Sequence, residues 1–145
     1  KPQFNIAKRN SSELSCIMVD LDNFKSVNDN YGHARGDEVI KMLSKTLKTC
    51  TRKIDLVGRY GGEEFCLVLP GISEEMAITV SERIRLEIQE KSEKRFNGQP
   101  EVTASIGVSS MSGNPKNPDD LVNKADQALY VAKESGRNQV VLWGV

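Results

Sequence analysis

The sequence predicts an α+β domain: a mixed sheet with helices packed on it. Three observations carry this. The run Cys16-Ile17-Met18-Val19-Asp20-Leu21 is short, continuously apolar and ends in an acid, as a buried central strand does. Val102, Ala104, Ile106 and Val108 alternate strictly with small polar residues, which marks another strand with one buried face. Between and after them, apolar residues recur at helical spacing, so a hairpin and helical crossovers share one sheet.

In chain order, Phe4 to Asn10 has mild helical character and reads as the tail of a helix begun upstream. After the first strand, Asp22 to Gly36 is rich in Asn, Asp and Gly and reads as a loop with at most a helical turn. From Asp37 the positions Val39, Ile40, Leu43, Leu47 and Cys50 define a helix, with acids in its first turn where the dipole favours them. Two short strands flank Gly61-Gly62, a pair suited to the positive backbone angles of a tight hairpin turn. Ser73-Glu74-Glu75 opens a second helix, with Ala77, Val80, Ile84 and Ile88 on one face. In the last helix Asn117 caps, Pro118 takes the first position, and Leu121, Ala125, Ala128, Leu129 and Ala132 form the buried stripe. Gly136 ends it, and Val140 to Trp143 closes the sheet.

Bulk properties exclude several function classes. At 145 residues the chain suits one domain, and 38% apolar with 28% charged residues argues against disorder. Twenty basic residues balance 20 acidic ones, so nucleic acid is not an expected partner, and direct membrane contact is not expected of this chain. Cys16, Cys50 and Cys66 lie in apolar stretches without CxxC spacing and read as reduced core thiols, favouring the cytoplasm. The chain opens at Lys1-Pro2-Gln3 without an initiator Met, which suggests a piece of a longer protein, compatible with a membrane-anchored parent.

The chemistry-bearing residues fall into four groups. Asp20 ends a buried strand and Glu63-Glu64 follow the Gly-Gly turn; with the Leu21 carbonyl, two such carboxylates make a hard oxygen site for Mg²⁺. Strand alternation sends Glu63 and Glu64 in different directions, so they do not share one role. A solvated pair at a hairpin tip is an equally good reading of those two glutamates. Phe24-Lys25, where the chain leaves a strand, offers backbone N–H groups and a positive charge to a phosphate, or simply an exposed lysine. Lys133 and Arg137 are four apart at a helix end, able to share an anion or to act only as dipole partners. Asn28 and Asp37 form an amide and carboxylate pair that could read a guanine edge, although both also suit loop and helix-start positions. His33 is ambiguous, with a structural role favoured.

Taken together, VDLDNFKSVNDNYGHARGDEVI, RKIDLVGRYGGEEF, VTASIGVS and ADQALYVAKESGRNQV resemble the GGDEF family of diguanylate cyclases, from about Ser15 to the end. The resemblance implies a mostly antiparallel sheet like that of adenylyl cyclases and polymerase palms (ferredoxin-like). It implies that two protomers each bind GTP and form cyclic di-GMP with two pyrophosphates. By match to the signature, Asp20, the Leu21 carbonyl and Glu64 would hold Mg²⁺, with Mn²⁺ as an alternative, and Glu63 would be a general base or second metal contact. Lys25 would stabilise phosphate charge, Phe24 would line the phosphate site, and Lys133 and Arg137 would grip the far end. Asn28 and Asp37 would read guanine, with His33 near the nucleotide.

Arg52-Lys53-Ile54-Asp55 matches the family's inhibitory RxxD, so Arg52 and Asp55, with Arg83 as a secondary contact, would bind product. An ordinary salt bridge is the alternative. The family's amino-terminal DxLTGLxNR stretch is not in this sequence. The rival functions are a weakly catalytic domain that senses GTP or cyclic di-GMP, and a relaxed cyclase making cyclic GMP-AMP. Intact Asp20, Glu63 and Glu64 disfavour the first, and Asp37 disfavours the second.

Overall fold

The computed structural model describes residues 2–144. Helix α1 (Pro2–Asn10) leads into β1 (Leu14–Leu21), followed by α2 (Phe24–Tyr31) and α3 (His33–Cys50). The hairpin β2 (Leu56–Arg59) and β3 (Glu64–Pro70) precedes α4 (Glu74–Phe96). Then come β4 (Ala104–Ser110), a short 3-10 turn, α5 (Pro118–Glu134) and β5 (Val140–Leu142). The strands lie in the order β2-β3-β1-β4-β5. Every pair is antiparallel except β4 with β5, which is the mixed, mostly antiparallel sheet expected.

β1 is central and buried on both faces, and its alternation divides the core. Ile17, Val19 and Leu21 pack with Val39, Leu43, Ile84 and Ile88 of α3 and α4. Cys16 and Met18 face the other way, with Phe4 and Ala7 of α1 and Leu121, Ala125 and Leu129 of α5. Each such fully buried aliphatic side chain contributes about 1.5–3 kcal/mol. Asp20 continues the second series, so its carboxylate belongs to the α5 side of the sheet.

Four sequence expectations are corrected. The segment from Asp22 to Gly36 is largely helical: α2 forms there because Val27 is buried and Phe24 packs on the core, while Asp29 and Asn30 face outward. The following helix starts at His33, not Asp37, so Asp37 and Glu38 lie beyond its first turn. Gly32, at φ 90°, makes the break between the two helices. Strand β4 is buried on both faces, because α5 lies against Ser105, Gly107 and Ser109. A Cβ on Gly107 would overlap the backbone of Ala125 and Leu129, so only glycine admits this approach. Finally, neither Gly61 nor Gly62 has a positive φ. The Tyr60 and Gly61 N–H groups both donate to the Glu64 carbonyl, at 2.7 and 3.2 Å, making a wider loop than a two-residue turn.

The caps read from sequence are present: Ser73 accepts from the Met76 N–H, and Asn117 from the Asp120 N–H. The five stripe residues of α5 are all buried. Cys16 is buried, whereas Cys50 and Cys66 are half-buried. Among the described residues no helix is long and apolar enough to cross a membrane.

Candidate active site

The carboxyl end of β1 meets the amino end of β3, and Asp20 is the register partner of Glu64. The Leu21 N–H donates to the Glu63 carbonyl at 3.4 Å, which ties the two ends together. Gly61 contributes close approach instead of turn geometry: a Cβ there would come 3.1 Å from a Glu64 carboxylate oxygen. Arg59 closes the loop by donating through Nε to the Gly62 carbonyl at 3.1 Å.

Electrostatics single out Asp20. Its pKa is raised to about 6, chiefly by burial, with Lys133 opposing and the charges of Glu63 and Glu64 adding to the rise. Asp20 Oδ1 is buried without a hydrogen-bond partner, a costly state for a carboxylate. Glu64 is also raised, first by burial and then by Asp126 and Glu63. The arrangement concentrates negative charge that a divalent cation would relieve. Among the described residues no three His, Cys, Asp or Glu side chains cluster tightly enough to enclose a metal. Two carboxylates and a carbonyl form an all-oxygen donor set of the kind that suits Mg²⁺, which takes few protein ligands and leaves room for phosphate oxygens and water.

Lys133 lies inside this acid group. Its ammonium donates to the Leu21 carbonyl at 3.2 Å and to Asp22 Oδ1 at 2.9 Å, and stands 3.6 Å from Asp20 Oδ2. Arg137 is exposed, in the left-handed region at φ 66°.

On the other side of β1 lies the start of α2. Asn23 sits at the cap position with φ 55° and makes no side-chain capping bond. The first helical N–H to be satisfied is that of Val27, bonded to the Asn23 carbonyl at 3.3 Å. The α2 amino terminus thus has donors for an anion, with Lys25 exposed beside them and Phe24 anchored in the core. Asn28 leaves α2 toward α3 and occupies the space that a Cβ on Gly36 would need. Asp37 follows on α3, exposed, as is His33 at that helix's start.

The Arg52 and Asp55 pair is elsewhere, in the loop before β2. The Arg52 Nη2 lies 2.6 Å from Asp55 Oδ1 and 2.7 Å from the Pro70 carbonyl, and the Arg52 N–H donates to Asp55 Oδ2 at 2.7 Å. Arg83 pairs along its own helix with Glu87 at 2.8 Å, and Glu87 in turn accepts from the Cys50 thiol at 3.3 Å.

The sequence reading missed two acids, Asp22 and Asp126. Asp22 falls in the segment whose composition reads as a loop, yet it is buried beside Asp20. Its i+2 spacing from Asp20 was the available signal. Asp126 has no local signal, since only α5 packing brings it near Glu64.

Comparisons with known proteins identify the family to which this fold and these motifs belong. Residues 1–139 match the family described as diguanylate cyclase, GGDEF domain. Diguanylate cyclase A of Treponema denticola is 44% identical over 138 residues, covering 95% of this chain and 37% of that protein. The active GGEEF domain of a diguanylate cyclase from Vibrio cholerae superposes with a TM-score of 0.92 at 37% identity, covering 100% of this chain and 92% of that one. The GGDEF domain of DgcB from Caulobacter crescentus, in complex with c-di-GMP, gives 0.91 at 28% identity, with 99% and 85% covered. The chain spans about a third of the length of the curated relatives it matches. By its motifs, its sheet and its relatives, the chain belongs to the GGDEF domain family of diguanylate cyclases.

Proposed function

We propose that this domain condenses two GTP into cyclic di-GMP and two pyrophosphates. The observation that carries the reading is the buried, unpartnered Asp20 Oδ1 opposite Glu64, beside the open amino terminus of α2. Asp20, Glu64 and the second lone pair of the Leu21 carbonyl would hold Mg²⁺. When bound, that ion neutralises phosphate charge. The chain's own groups do the rest. The α2 N–H groups and Lys25 bind phosphate oxygens, Lys133 and Arg137 grip the far end of the triphosphate, and Asn28 with Asp37 orients the guanine. Glu63, at the same strand end, serves as general base toward a 3′-hydroxyl or as a second metal contact. Phosphoryl transfer needs positioning and charge neutralisation more than covalent help, and this constellation offers both.

One domain holds one nucleotide, so the reaction requires a second copy facing the first. The relatives' names and the c-di-GMP complex of the DgcB domain support the substrate and product classes. Arg52 and Asp55, with Arg83 as a secondary contact, are the proposed inhibitory site for product.

The test is to incubate the full-length protein with GTP and Mg²⁺ and identify products by mass spectrometry. Cyclic di-GMP is expected, and Glu64→Ala should abolish both turnover and its metal dependence. Product binding without turnover would replace this reading with that of a sensor domain.

A further inference from the structure

A second buried carboxylate stands two residues beyond Asp20, and the reaction outlined above gives it no task. The Asp22 side chain is 2% exposed. Its Oδ1 accepts from the Ser105 hydroxyl at 2.6 Å and from Lys133 at 2.9 Å. Its Oδ2 accepts from the Thr103 hydroxyl at 2.7 Å and from the Asn138 N–H at 3.0 Å. A carboxylate offers about four lone-pair positions, so Asp22 is saturated where Asp20 is not. That separates their roles: Asp20 has capacity for a metal ion, and Asp22 has none. Burial acts to raise the Asp22 pKa, yet hydrogen bonds from Ser105, Lys133 and Thr103 outweigh it and hold the carboxyl below its ordinary range.

Two of the four donors lead to the cations assigned to the triphosphate. Lys133 is one of them. Its other close acceptor is the Leu21 carbonyl, and Asp20 Oδ2 lies at ion-pair distance, 3.6 Å, so Asp22 is the nearest of the groups that fix the ammonium at this strand end. Asn138 is the neighbour of Arg137, and both residues hold positive φ, 66° and 47°. Two successive non-glycine residues in that region are costly and persist only when their surroundings dictate them. The Asn138 N–H bond to Asp22, the Arg137 N–H bond to the Ala132 carbonyl at 2.9 Å, and the Arg85 bond to Asn138 Oδ1 at 3.0 Å do so here. Asp22 therefore joins the end of β1 to both the side chain of Lys133 and the turn that carries Arg137.

The geometry points to Asp22 as a positioning residue for polyphosphate recognition: it sets Lys133 and the Arg137-Asn138 turn for the tail of a nucleoside triphosphate. This rests on the reading of Lys133 and Arg137 under Proposed function. The consequence is selective. Losing the Asp22 charge weakens the grip on the polyphosphate but leaves the purine contacts of α2 and α3 intact.

The experiment compares Asp22→Asn with the unmodified full-length protein, measuring equilibrium binding of a non-hydrolysable GTP analogue and of GMP by calorimetry. The analogue's affinity should fall about tenfold or more while that for GMP stays within about twofold. A general loosening of the fold would lower both alike, and that result, or no change in either, overturns the proposal. If Asp22→Asn does not fold, Thr103→Val removes one donor while keeping the charge. It should then cost about two- to threefold for the analogue alone, and an equal loss for both ligands overturns the proposal. Lys133→Met and Arg137→Met separate the two readings. If neither changes the analogue-to-GMP ratio, the phosphate-grip assignment itself fails. If both lower it and Asp22→Asn does not, only the role of Asp22 is lost.

Discussion

Asp20 and Glu64 are direct partners across the antiparallel pair of β1 and β3, and Asp20 Oδ1 lies buried there with no hydrogen bond. Two acids in this relationship store electrostatic cost in the folded state. The sign of the pH effect follows. Asp20 has a folded pKa of about 6 against 3.8 for an unperturbed aspartate, so the folded state binds the proton more tightly. Stability contributed by the protonated form is present at low pH and is lost as pH rises from about 3.8 through 6. Asp20→Asn should therefore raise the melting temperature at pH 7.5, with the gain shrinking toward pH 4. An equal effect at both pH values would sink this account of Asp20.

Gly36 governs a different contact. Its missing side chain makes room for the Asn28 amide, so Gly36→Ala must push that amide aside. If Asn28 reads guanine, GTP affinity should fall about tenfold, the cost of roughly one lost buried hydrogen bond. Titration with GTP and ATP checks this: the preference for GTP should narrow, and unchanged discrimination would remove Asn28 from the guanine site.

Gly107 carries a prediction about stability. A Cβ there would overlap the backbone of α5, which cannot move as a side-chain tip can. Gly107→Ala should cost on the order of 3 kcal/mol through overpacking. Urea denaturation should show a lower midpoint, and because α5 carries Lys133, nucleotide binding should weaken with it.

Arg52 is held by Asp55 and by the Pro70 carbonyl, and the Asp55 side chain is only 3% exposed. Arg52→Ala leaves that carboxylate with the backbone N–H of residue 52 as its remaining partner, at a cost of about 1–2 kcal/mol. Product inhibition should be relieved at the same time. Initial rates across a series of cyclic di-GMP concentrations test this, and an unaltered inhibition curve would leave Arg52 and Asp55 as a structural salt bridge alone.

Much of the site could be read from residue order because its parts sit at element ends. Asp20 closes an apolar run, Lys133 closes an amphipathic helix, and Ser73 and Asn117 carry cap chemistry that depends only on near neighbours. The misreadings came where long-range packing overrode local signals. The α2 segment has too few apolar residues to show a period, yet burying Val27 and seating Phe24 is enough to hold a helix there. The Gly61-Gly62 pair looked like a positive-φ turn, but Gly61 is there to admit the Glu64 carboxylate.

The sequence by itself determined the strands and the long helices, the two-sided burial of β1, the identity of the acids and cations, and the family, but not α2. Those follow from periodicity and short motifs, which are local. Only the tertiary structure decided which acid is free and which is spent. Asp20 and Asp22 are two residues apart and chemically identical. One keeps a carboxylate oxygen, Oδ1, without a hydrogen bond, and the other is saturated by groups from the β4 end of the sheet, α5 and the turn before β5. That difference is made by donors more than 80 residues away along the chain, which hydrogen-bond geometry brings together only in the folded sheet.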